Sequence, residues 1–229
     1  MRKTIVVTGA TSGLGRALIG TLKSAGFNPI LTGRTADKVS SLSAELEVPG
    51  FQLDVSDPQS IRSATADILN SHGPVYGLIN NAGIWLEGDF ETFTSDAIQS
   101  VIDTNTTGTI LMTHALLPQM LERREGVVIN TVSTGALYSR KLISVYSASK
   151  WAIRGFTGCL EVECAPKGVR VMGFYPGKID TNMYETAGIE RNLEAAMSPA
   201  QAASMVLFML KDPDMVWSHV SGRSVTDYI

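Results

Sequence analysis

The chain has 229 residues, 44% of them hydrophobic, and a formal net charge of −3. This length predicts one domain with a large core, spanning residues 1–229. Acidic and basic residues are interspersed, so nucleic acid is not expected as a partner. No apolar run approaches the roughly 18 residues of a membrane span, and residues 1–3 lead into a strand without a signal-peptide pattern. We therefore expect no membrane segment and a cytoplasmic location.

The two cysteines give no sign of a disulfide or a metal site. Cys159 and Cys164 lie five residues apart in one predicted helix, which directs them to different faces. We therefore expect both to serve as core or interface residues, and we expect no metal ion.

The first motif is a strand, a glycine-rich turn and a helix. A β-branched run at residues 4–8 precedes a G-x-x-x-G-x-G turn, and apolar residues at helical spacing follow up to Gly26. Glycines at such a junction allow a ligand to approach the backbone, and the N–H groups of the helix start attract phosphate. The spacing departs from the commoner G-x-G-x-x-G fingerprint, so a purely structural glycine turn is the alternative.

The second predicted strand, residues 28–32, indicates the cofactor. At this strand end an acid usually binds a free ribose 2′-hydroxyl, whereas a 2′-phosphate requires a cation. Here the acid position is Gly33 and the next residue is Arg34, whose guanidinium suits a phosphate in charge and geometry. The sequence therefore favours NADP over NAD, although Ser12 offers no second cation. A surface arginine in a turn is the alternative.

The third and fourth predicted strands also end in candidate ligand contacts. Residues 51–53 end at Asp54, whose carboxylate is expected to accept a hydrogen bond from an adenine amino group. A plain turn residue is the alternative there. Residues 75–79 run into the NNAG sequence of residues 80–83. Such a polar, glycine-ended exit is needed where the backbone bends around a ligand.

An interruption divides the long helical pattern of residues 95–121. Residues 103–108 read DTNTTG, and Asn, Thr and Gly are unfavourable in a helix interior. This break in a buried element predicts a functional role for Asn105, such as holding a water molecule. An ordinary local kink is the alternative.

The constellation most indicative of catalysis lies between Ser133 and Lys150. Ser133 ends a buried apolar run, residues 126–132, so its hydroxyl is expected at the carboxyl edge of a sheet. Tyr146 and Lys150 lie four residues apart in a predicted helix and therefore share a face. An adjacent ammonium favours the phenolate and lowers the pKa of the phenol, so we predict that Tyr146 transfers protons. A solvated surface pair is the alternative.

The remaining elements complete an α/β pattern. Residues 169–174 predict a strand, residues 182–198 a short loop over the pocket, and residues 199–210 a last helix. A final strand is expected within residues 216–225. Strands that alternate with helices predict a Rossmann-like, doubly wound, mostly parallel seven-stranded sheet with helices on both faces.

In this order the motifs resemble the short-chain dehydrogenase/reductase family over nearly the whole chain. The resemblance implies that Tyr146 is the general acid in reduction and the base in oxidation, and that Ser133 orients the carbonyl group. It implies that Lys150 binds the nicotinamide ribose and lowers the pKa of the phenol, and that Asn105 holds a water molecule. The cofactor contacts it implies are Gly9, Thr11, Ser12, Gly13, Leu14, Gly15, Arg34, Asp54, Val55, Asn81, Ala82, Gly83, Tyr146, Lys150, Pro176, Gly177, Ile179 and Thr181.

Three features depart from the family pattern. The usual double serine before the tyrosine is Val132-Ser133, residues 220–229 lack the usual terminal glycines, and the segment after Thr181 is short for a substrate lid. These departures bear on closure of the pocket and on subunit contacts rather than on the chemistry. The resemblance suggests a homodimer or a homotetramer.

The sequence therefore predicts an NADP(H)-dependent oxidoreductase for a small or medium carbonyl or alcohol substrate. A nucleotide-binding regulatory protein that senses NADP without catalysis is the rival, and an epimerase or dehydratase that uses the cofactor without net change is a second. Trp85 is explained more readily by packing than by recognition. The residues expected to form an apolar, partly aromatic pocket wall are Ile84, Trp85, Leu137, Tyr138, Tyr175 and Tyr184.

Overall fold

A parallel seven-stranded sheet organises the molecule. The computed structural model describes residues 2–225. The strand order is β3-β2-β1-β4-β5-β6-β7, and every neighbouring pair is parallel. The strands are β1 (Thr4–Val7), β2 (Asn28–Gly33), β3 (Gly50–Gln52), β4 (Gly77–Asn80), β5 (Gly126–Thr131), β6 (Val169–Pro176) and β7 (His219–Gly222).

Helices connect these strands and cover both faces of the sheet, which confirms the predicted Rossmann-like fold. None of the helices described is long and apolar enough to cross a membrane. The helices are α1 (Gly13–Ser24), α2 (Ala36–Leu46), α3 (Pro58–His72), α4 (Ser95–Ile102), α5 (Gly108–Arg123), α6 (Ser144–Cys164), α7 (Met183–Thr186) and α8 (Pro199–Lys211).

The two faces of the sheet bury separate apolar clusters. Ile5 and Val7 of β1 contact the cluster that includes side chains of α1, α2 and α8, whereas Val6 contacts the cluster of α3, α5 and α6. Alternate side chains of a strand point to opposite faces, so a sheet buried on both sides needs apolar residues at successive positions. This requirement explains the continuous β-branched run at the start of the chain.

The topology places the candidate site. The chain runs outward in one direction from β1 to β3 and in the other from β4 to β7, so the connections after β1 and β4 diverge. In open α/β sheets ligands bind at such a switch point, outside the carboxyl ends of the strands.

The structure refines two predicted elements. The predicted interruption at residues 103–108 is a π-helix over Asp103–Thr107, which links α4 to α5 without leaving the helical path. The last strand covers only His219–Gly222 of the predicted residues 216–225, because Val216 and Trp217 pack against the core before pairing with β6 begins. Residues 226–229, which end the segment that lacks the usual terminal glycines, lie outside the described residues.

Candidate active site

A cavity of about 560 Å³ opens at the switch point, at the carboxyl ends of β1, β2, β4, β5 and β6. That volume lies within the range of cofactor and small-molecule sites. All eighteen residues predicted to contact the cofactor line this cavity, and so does Ser133. Asn105 is fully buried behind the lining. The structure therefore brings together the residues that the sequence distributes over more than 170 positions.

The start of α1 forms one wall of the cavity and is open to an anion. Ser12 is the N-cap residue, but its side chain makes no capping hydrogen bond, and the first turn contains no acidic residue. Gly13 follows with φ +51°, and Gly9 has φ +62°. A Cβ at Gly9 would lie 2.8 Å from Ala82 Cα, so only glycine allows the turn to approach the loop after β4. Backbone N–H groups at a helix start in this arrangement fit a pyrophosphate.

A hydrogen-bonded clamp joins the connections after β1 and β4. The Thr8 hydroxyl accepts hydrogen bonds from the backbone N–H groups of Asn81 and Ala82, each at 3.0 Å. The Asn81 side chain donates in return to the carbonyl oxygens of Thr8 at 3.0 Å and Gly9 at 3.2 Å. This clamp fixes the two sides of the crevice relative to each other.

The outer end of the cavity carries two exposed cations. Arg34 follows β2, and Lys38, in the first turn of α2, lines the same cavity. The sequence analysis did not predict Lys38 as a residue of the cavity. Its position four residues after Arg34, in the first turn of the helix that follows β2, could have indicated it. Asp54 also lines this end, but its Oδ1 accepts hydrogen bonds from the backbone N–H and the hydroxyl of Ser56. Asp54 thus acts as a turn residue as well as a cavity residue.

Asn105 clamps the loop that leads to the inner end of the cavity. Its Oδ1 accepts a hydrogen bond from Ile84 N–H at 2.8 Å, and its Nδ2 donates to the Ile84 carbonyl oxygen at 3.0 Å. Nδ2 also donates to the Ser149 hydroxyl at 3.1 Å, and that hydroxyl donates to the carbonyl oxygen of Tyr146. The side chain of Asn105 therefore connects the loop after β4 with α6.

Ser133, Tyr146 and Lys150 lie at the inner end of the cavity. The hydroxyl of Ser133 lies beside the phenol of Tyr146 and acts to lower its pKa, and it accepts a hydrogen bond from Gly135 N–H at 3.0 Å. Lys150 Nζ lies 5.8 Å from the centroid of the Tyr146 ring and donates to the carbonyl oxygen of Thr131 at 2.9 Å. Tyr146 and Lys150 are both buried, which excludes the alternative of a solvated surface pair.

The pKa of Tyr146 corrects the sequence analysis. We expected Lys150 to lower it, but burial raises the pKa of the phenol well above its usual 10, and only the Ser133 hydroxyl and the charge of Arg140 act in the opposite direction. Burial also lowers the pKa of the Lys150 ammonium from 10.5 to about 8. Spacing in a helix predicts that two side chains share a face, but it does not predict how much water is excluded from them.

The pKa of Lys150 gives a testable pH dependence. We expect Lys150→Met to be more stable than the parent at pH 7 by about 2 kcal/mol, because burying the ammonium costs about 3 kcal/mol and its hydrogen bond returns about 1. Between about pH 8 and 10.5 the unfolded chain binds more protons at Lys150 than the folded chain does. The free energy of unfolding of the parent should therefore rise across this window, by at most about 1.4 kcal/mol per pH unit from this group.

Urea unfolding at pH 7, 8 and 9.5 measures this difference. The gap between Lys150→Met and the parent should close as the pH rises, whereas the exposed control Lys211→Met should differ little from the parent at any of these pH values. A gap that stays constant with pH would contradict the lowered pKa of Lys150.

Aromatic side chains cover Tyr146 on the side of the cavity. The ring centroids of Trp85 and Tyr146 are 4.2 Å apart, and those of Trp85 and Tyr184 are 5.0 Å apart. Ile84 lines the cavity with Trp85 and Tyr184. Three of the six residues predicted for the pocket wall are thus in place, and Trp85 both packs and lines the cavity.

The other three predicted wall residues do not line the cavity. Tyr175 is almost fully buried and stacks on His219 at 4.9 Å, and burial raises the pKa of its phenol to about 12. Leu137 packs against a small core cluster, and the exposed Tyr138 lies under the guanidinium of Arg223. Alternation along β6 directs the side chain of Tyr175 away from the site, a pattern that the sequence reasoning did not apply.

The doubly wound sheet and the cavity at its switch point define a Rossmann-like fold. A sequence model described as short chain dehydrogenase matches residues 3–192. Dehydrogenase/reductase SDR family member 7B of Bos taurus is 36% identical over 234 residues, which cover 93% of this chain and 72% of that protein. An uncharacterised oxidoreductase of Staphylococcus saprophyticus is 30% identical, and the match covers 98% of this chain and 96% of that protein. The chain belongs to the short-chain dehydrogenase/reductase family, a family of oxidoreductases.

Solved structures support the same assignment. The closed form of a serine dehydrogenase complexed with NADP⁺ superposes with a TM-score of 0.93 at 27% identity, covering 97% of this chain and 95% of that one. A 3-ketoacyl-(acyl-carrier-protein) reductase from Brucella melitensis complexed with NADH has a TM-score of 0.88 at 25% identity, covering 96% and 97%. Similar folds thus hold either form of the nicotinamide cofactor.

Proposed function

We propose that this protein is an NADP(H)-dependent oxidoreductase that interconverts a small or medium carbonyl compound and its alcohol. The observation that carries the proposal is that Ser133, Tyr146 and Lys150 line the inner end of a cavity whose wall includes the open start of α1. When bound, the cofactor supplies or accepts the hydride. The protein supplies orientation, exclusion of water and the proton.

Tyr146 gives its proton to the carbonyl oxygen in the direction of reduction. At neutral pH the phenol is protonated, which is the form that donates, but burial makes it a weaker acid than a phenol in water. The Ser133 hydroxyl orients the carbonyl oxygen and, with Arg140, offsets the charge that remains on the phenol. Lys150, held by the carbonyl oxygen of Thr131, binds the nicotinamide ribose. Asn105 fixes the loop of Ile84 and serves as a positioning residue.

The preference for NADP rests on Arg34 and Lys38. Two cations at the end of β2 suit a 2′-phosphate, and the glycine at position 33 leaves no acid there to repel it. Lys38 supplies the second cation that the glycine-rich turn lacks. An actinorhodin polyketide ketoreductase with NADPH, at a TM-score of 0.89 and 27% identity over 97% of this chain and 96% of that one, is consistent with this choice.

The proposal is tested by NADPH oxidation in the presence of ketones, aldehydes and quinones. We expect net loss of NADPH absorbance with at least one of these carbonyl compounds and formation of the corresponding alcohol or hydroquinone. A protein that binds NADPH but oxidises it with none of them would instead be the sensor that the sequence analysis left as a rival. Product formation without net cofactor change would indicate an epimerase or a dehydratase.

We also propose a cytoplasmic homodimer or homotetramer. One face of α6 carries Trp151, Gly155, Gly158 and Val162, and all four are exposed. A Cβ built on either glycine would meet nothing within 4 Å, so this apolar face is flat enough for a second helix to approach. The sedimentation of the purified protein measures its oligomeric state.

A further inference from the structure

The loop after β4 fixes Trp85 beside Tyr146. The residue before it, Ile84, is held at both its N–H and its carbonyl group by Asn105. The indole ring of Trp85 then lies against the Tyr146 ring, with the two planes tilted by 48°. The indole therefore forms part of the cavity wall beside the phenol.

A single carboxylate oxygen holds this indole in place. Glu87 Oε2 accepts a hydrogen bond from the Trp85 indole N–H at 2.8 Å, and the same oxygen pairs with the Arg191 guanidinium. The side chains of Glu87 and Arg191 are 16% and 26% exposed. Partial burial strengthens this ion pair relative to one in open solvent, so the pair restrains the indole more than a surface pair would.

Arg191 also joins the two aromatic walls of the cavity. Its guanidinium lies 4.8 Å from the ring centroid of Tyr184 and 5.8 Å from that of Trp85. Arg191 belongs to the segment after β6, whereas Trp85 and Glu87 belong to the loop after β4. The ion pair therefore ties the predicted loop over the pocket to the wall beside Tyr146.

The wall that results presents two aromatic rings, and its acid is paired. The rings of Trp85 and Tyr184 meet nearly at right angles, at 74°, so they form two sides of a slot. The acid at this wall, Glu87, is paired with Arg191 and does not offer a free charge to a substrate. Contact between an aromatic face and a flat π-system is favourable beyond the area that is buried.

We propose that Trp85 determines the substrate specificity of this site, and that Glu87 and Arg191 are its positioning residues. The substrates selected are carbonyl compounds whose carbonyl group is conjugated to a flat, uncharged ring. Saturated rings of the same size are disfavoured because their puckered shape does not fit the slot. This inference rests on the proposed function and names the substrate class of the same site.

Benzaldehyde and cyclohexanecarbaldehyde form a pair of probes of similar size, one with a flat, conjugated ring and one with a puckered ring. The difference in the reactivity of their carbonyl groups cancels when the parent is compared with Trp85→Ala. Both are measured as substrates with NADPH and as inhibitors of the carbonyl compound found most active in the NADPH oxidation assay. We expect the parent to favour benzaldehyde by about tenfold, whether in kcat/KM or in inhibition, as two aromatic contacts of about 0.7 kcal/mol each would give. Equal values for the two probes, or no effect of either one, would overturn the inference.

Substitution of Trp85 separates this role from a structural one. Trp85→Ala removes one of the two aromatic contacts and should reduce the preference for benzaldehyde to about threefold, mainly through a higher KM, whereas Trp85→Phe should retain most of it. A folded Trp85→Ala variant with the parental preference overturns the inference and leaves the proposed function intact. Absence of NADPH oxidation with every carbonyl compound would instead remove the proposed function itself.

The positioning role is tested by Glu87→Gln and Arg191→Met. Each should lower the preference for benzaldehyde in the parent. In Trp85→Ala, Glu87→Gln should have no further effect because there is then no indole to position, whereas Arg191→Met should keep a smaller effect through its contact with Tyr184. The chain has three tryptophans. When Trp151 and Trp217 are replaced by Phe, Trp85 is the only tryptophan left, and its fluorescence can be followed alone. Its emission should shift to the red in Glu87→Gln and stay unchanged in the control Glu45→Gln, which alters the exposed pair with Arg16. An unchanged emission and preference in Glu87→Gln and Arg191→Met would show that the ion pair does not position Trp85.

Discussion

Tyr146→Phe is expected to lower kcat for carbonyl reduction by about 10³-fold, a loss typical of a general acid. The variant removes the phenol hydroxyl beside Ser133 at the inner end of the cavity and leaves the ring that packs against Trp85. NADPH binding should stay within about threefold, because Lys150 keeps its hydrogen bond to Thr131 and the start of α1 is unaltered. Steady-state kinetics and fluorescence titration with NADPH measure the two effects separately.

Tyr138→Phe provides the matched control. Tyr138 lies in the connection between Ser133 and α6, but its ring is 54% exposed and outside the cavity. We expect its turnover to stay within about twofold of the parent. If Tyr146→Phe turns over at the parental rate, Tyr146 is not the proton donor. If it loses NADPH binding and kcat together, the phenol acts in binding rather than in proton transfer.

Local patterns in the sequence were sufficient to predict the fold. The apolar, β-branched run of β1 predicts a strand buried on both faces. Asp57 followed by Pro58 is typical of a helix start, and α3 begins there with Asp57 accepting a hydrogen bond from Gln59 N–H. Because all the strands are parallel, the residues that follow them meet at one edge. The residues of the cavity could therefore be predicted from their positions after strands, without knowledge of any contact.

Contacts between distant segments could not be predicted in this way. Glu87 and Arg191 are 104 positions apart, and each reads as an ordinary surface charge in the sequence. The raised pKa of Tyr146 has the same origin, since its burial depends on packing by side chains such as Trp85 from another loop. A helical spacing of four fixes which face two side chains share, but desolvation depends on which other segments cover that face.

The neighbouring asparagines at the end of β4 show how strand alternation could have refined the prediction. Asn80 points into the sheet interior, where its Nδ2 donates to Asn130 at 2.8 Å and Thr113 at 2.9 Å. Asn81 instead lines the cavity and clamps Thr8. The two side chains lie on opposite faces because a strand alternates, so only one of them was available to the candidate site.

Arg34→Ala is expected to raise the KM for NADPH by about 30-fold and to change the KM for NADH by less than about threefold. A charge-assisted contact to a phosphate contributes about 1.5–3 kcal/mol, which corresponds to a change in KM of about 10- to 150-fold. NADH has no 2′-phosphate and therefore has no such contact to lose. Lys38→Ala should act in the same direction with a smaller effect, because an ammonium makes no bidentate contact. Steady-state kinetics with both cofactors at fixed carbonyl concentration give the two ratios.

The exposure of these two cations adds a second, independent expectation. Arg34 and Lys38 both face solvent, so salt should screen their attraction for the 2′-phosphate. The preference for NADPH in the parent should therefore fall as ionic strength rises, and this dependence should weaken in Arg34→Ala. Arg62→Ala, which removes an exposed arginine from α3 away from the cavity, controls for the change in net charge. Equal changes in KM for NADPH and NADH in Arg34→Ala would mean that Arg34 supports the strand end rather than the phosphate, and the argument for NADP would fail.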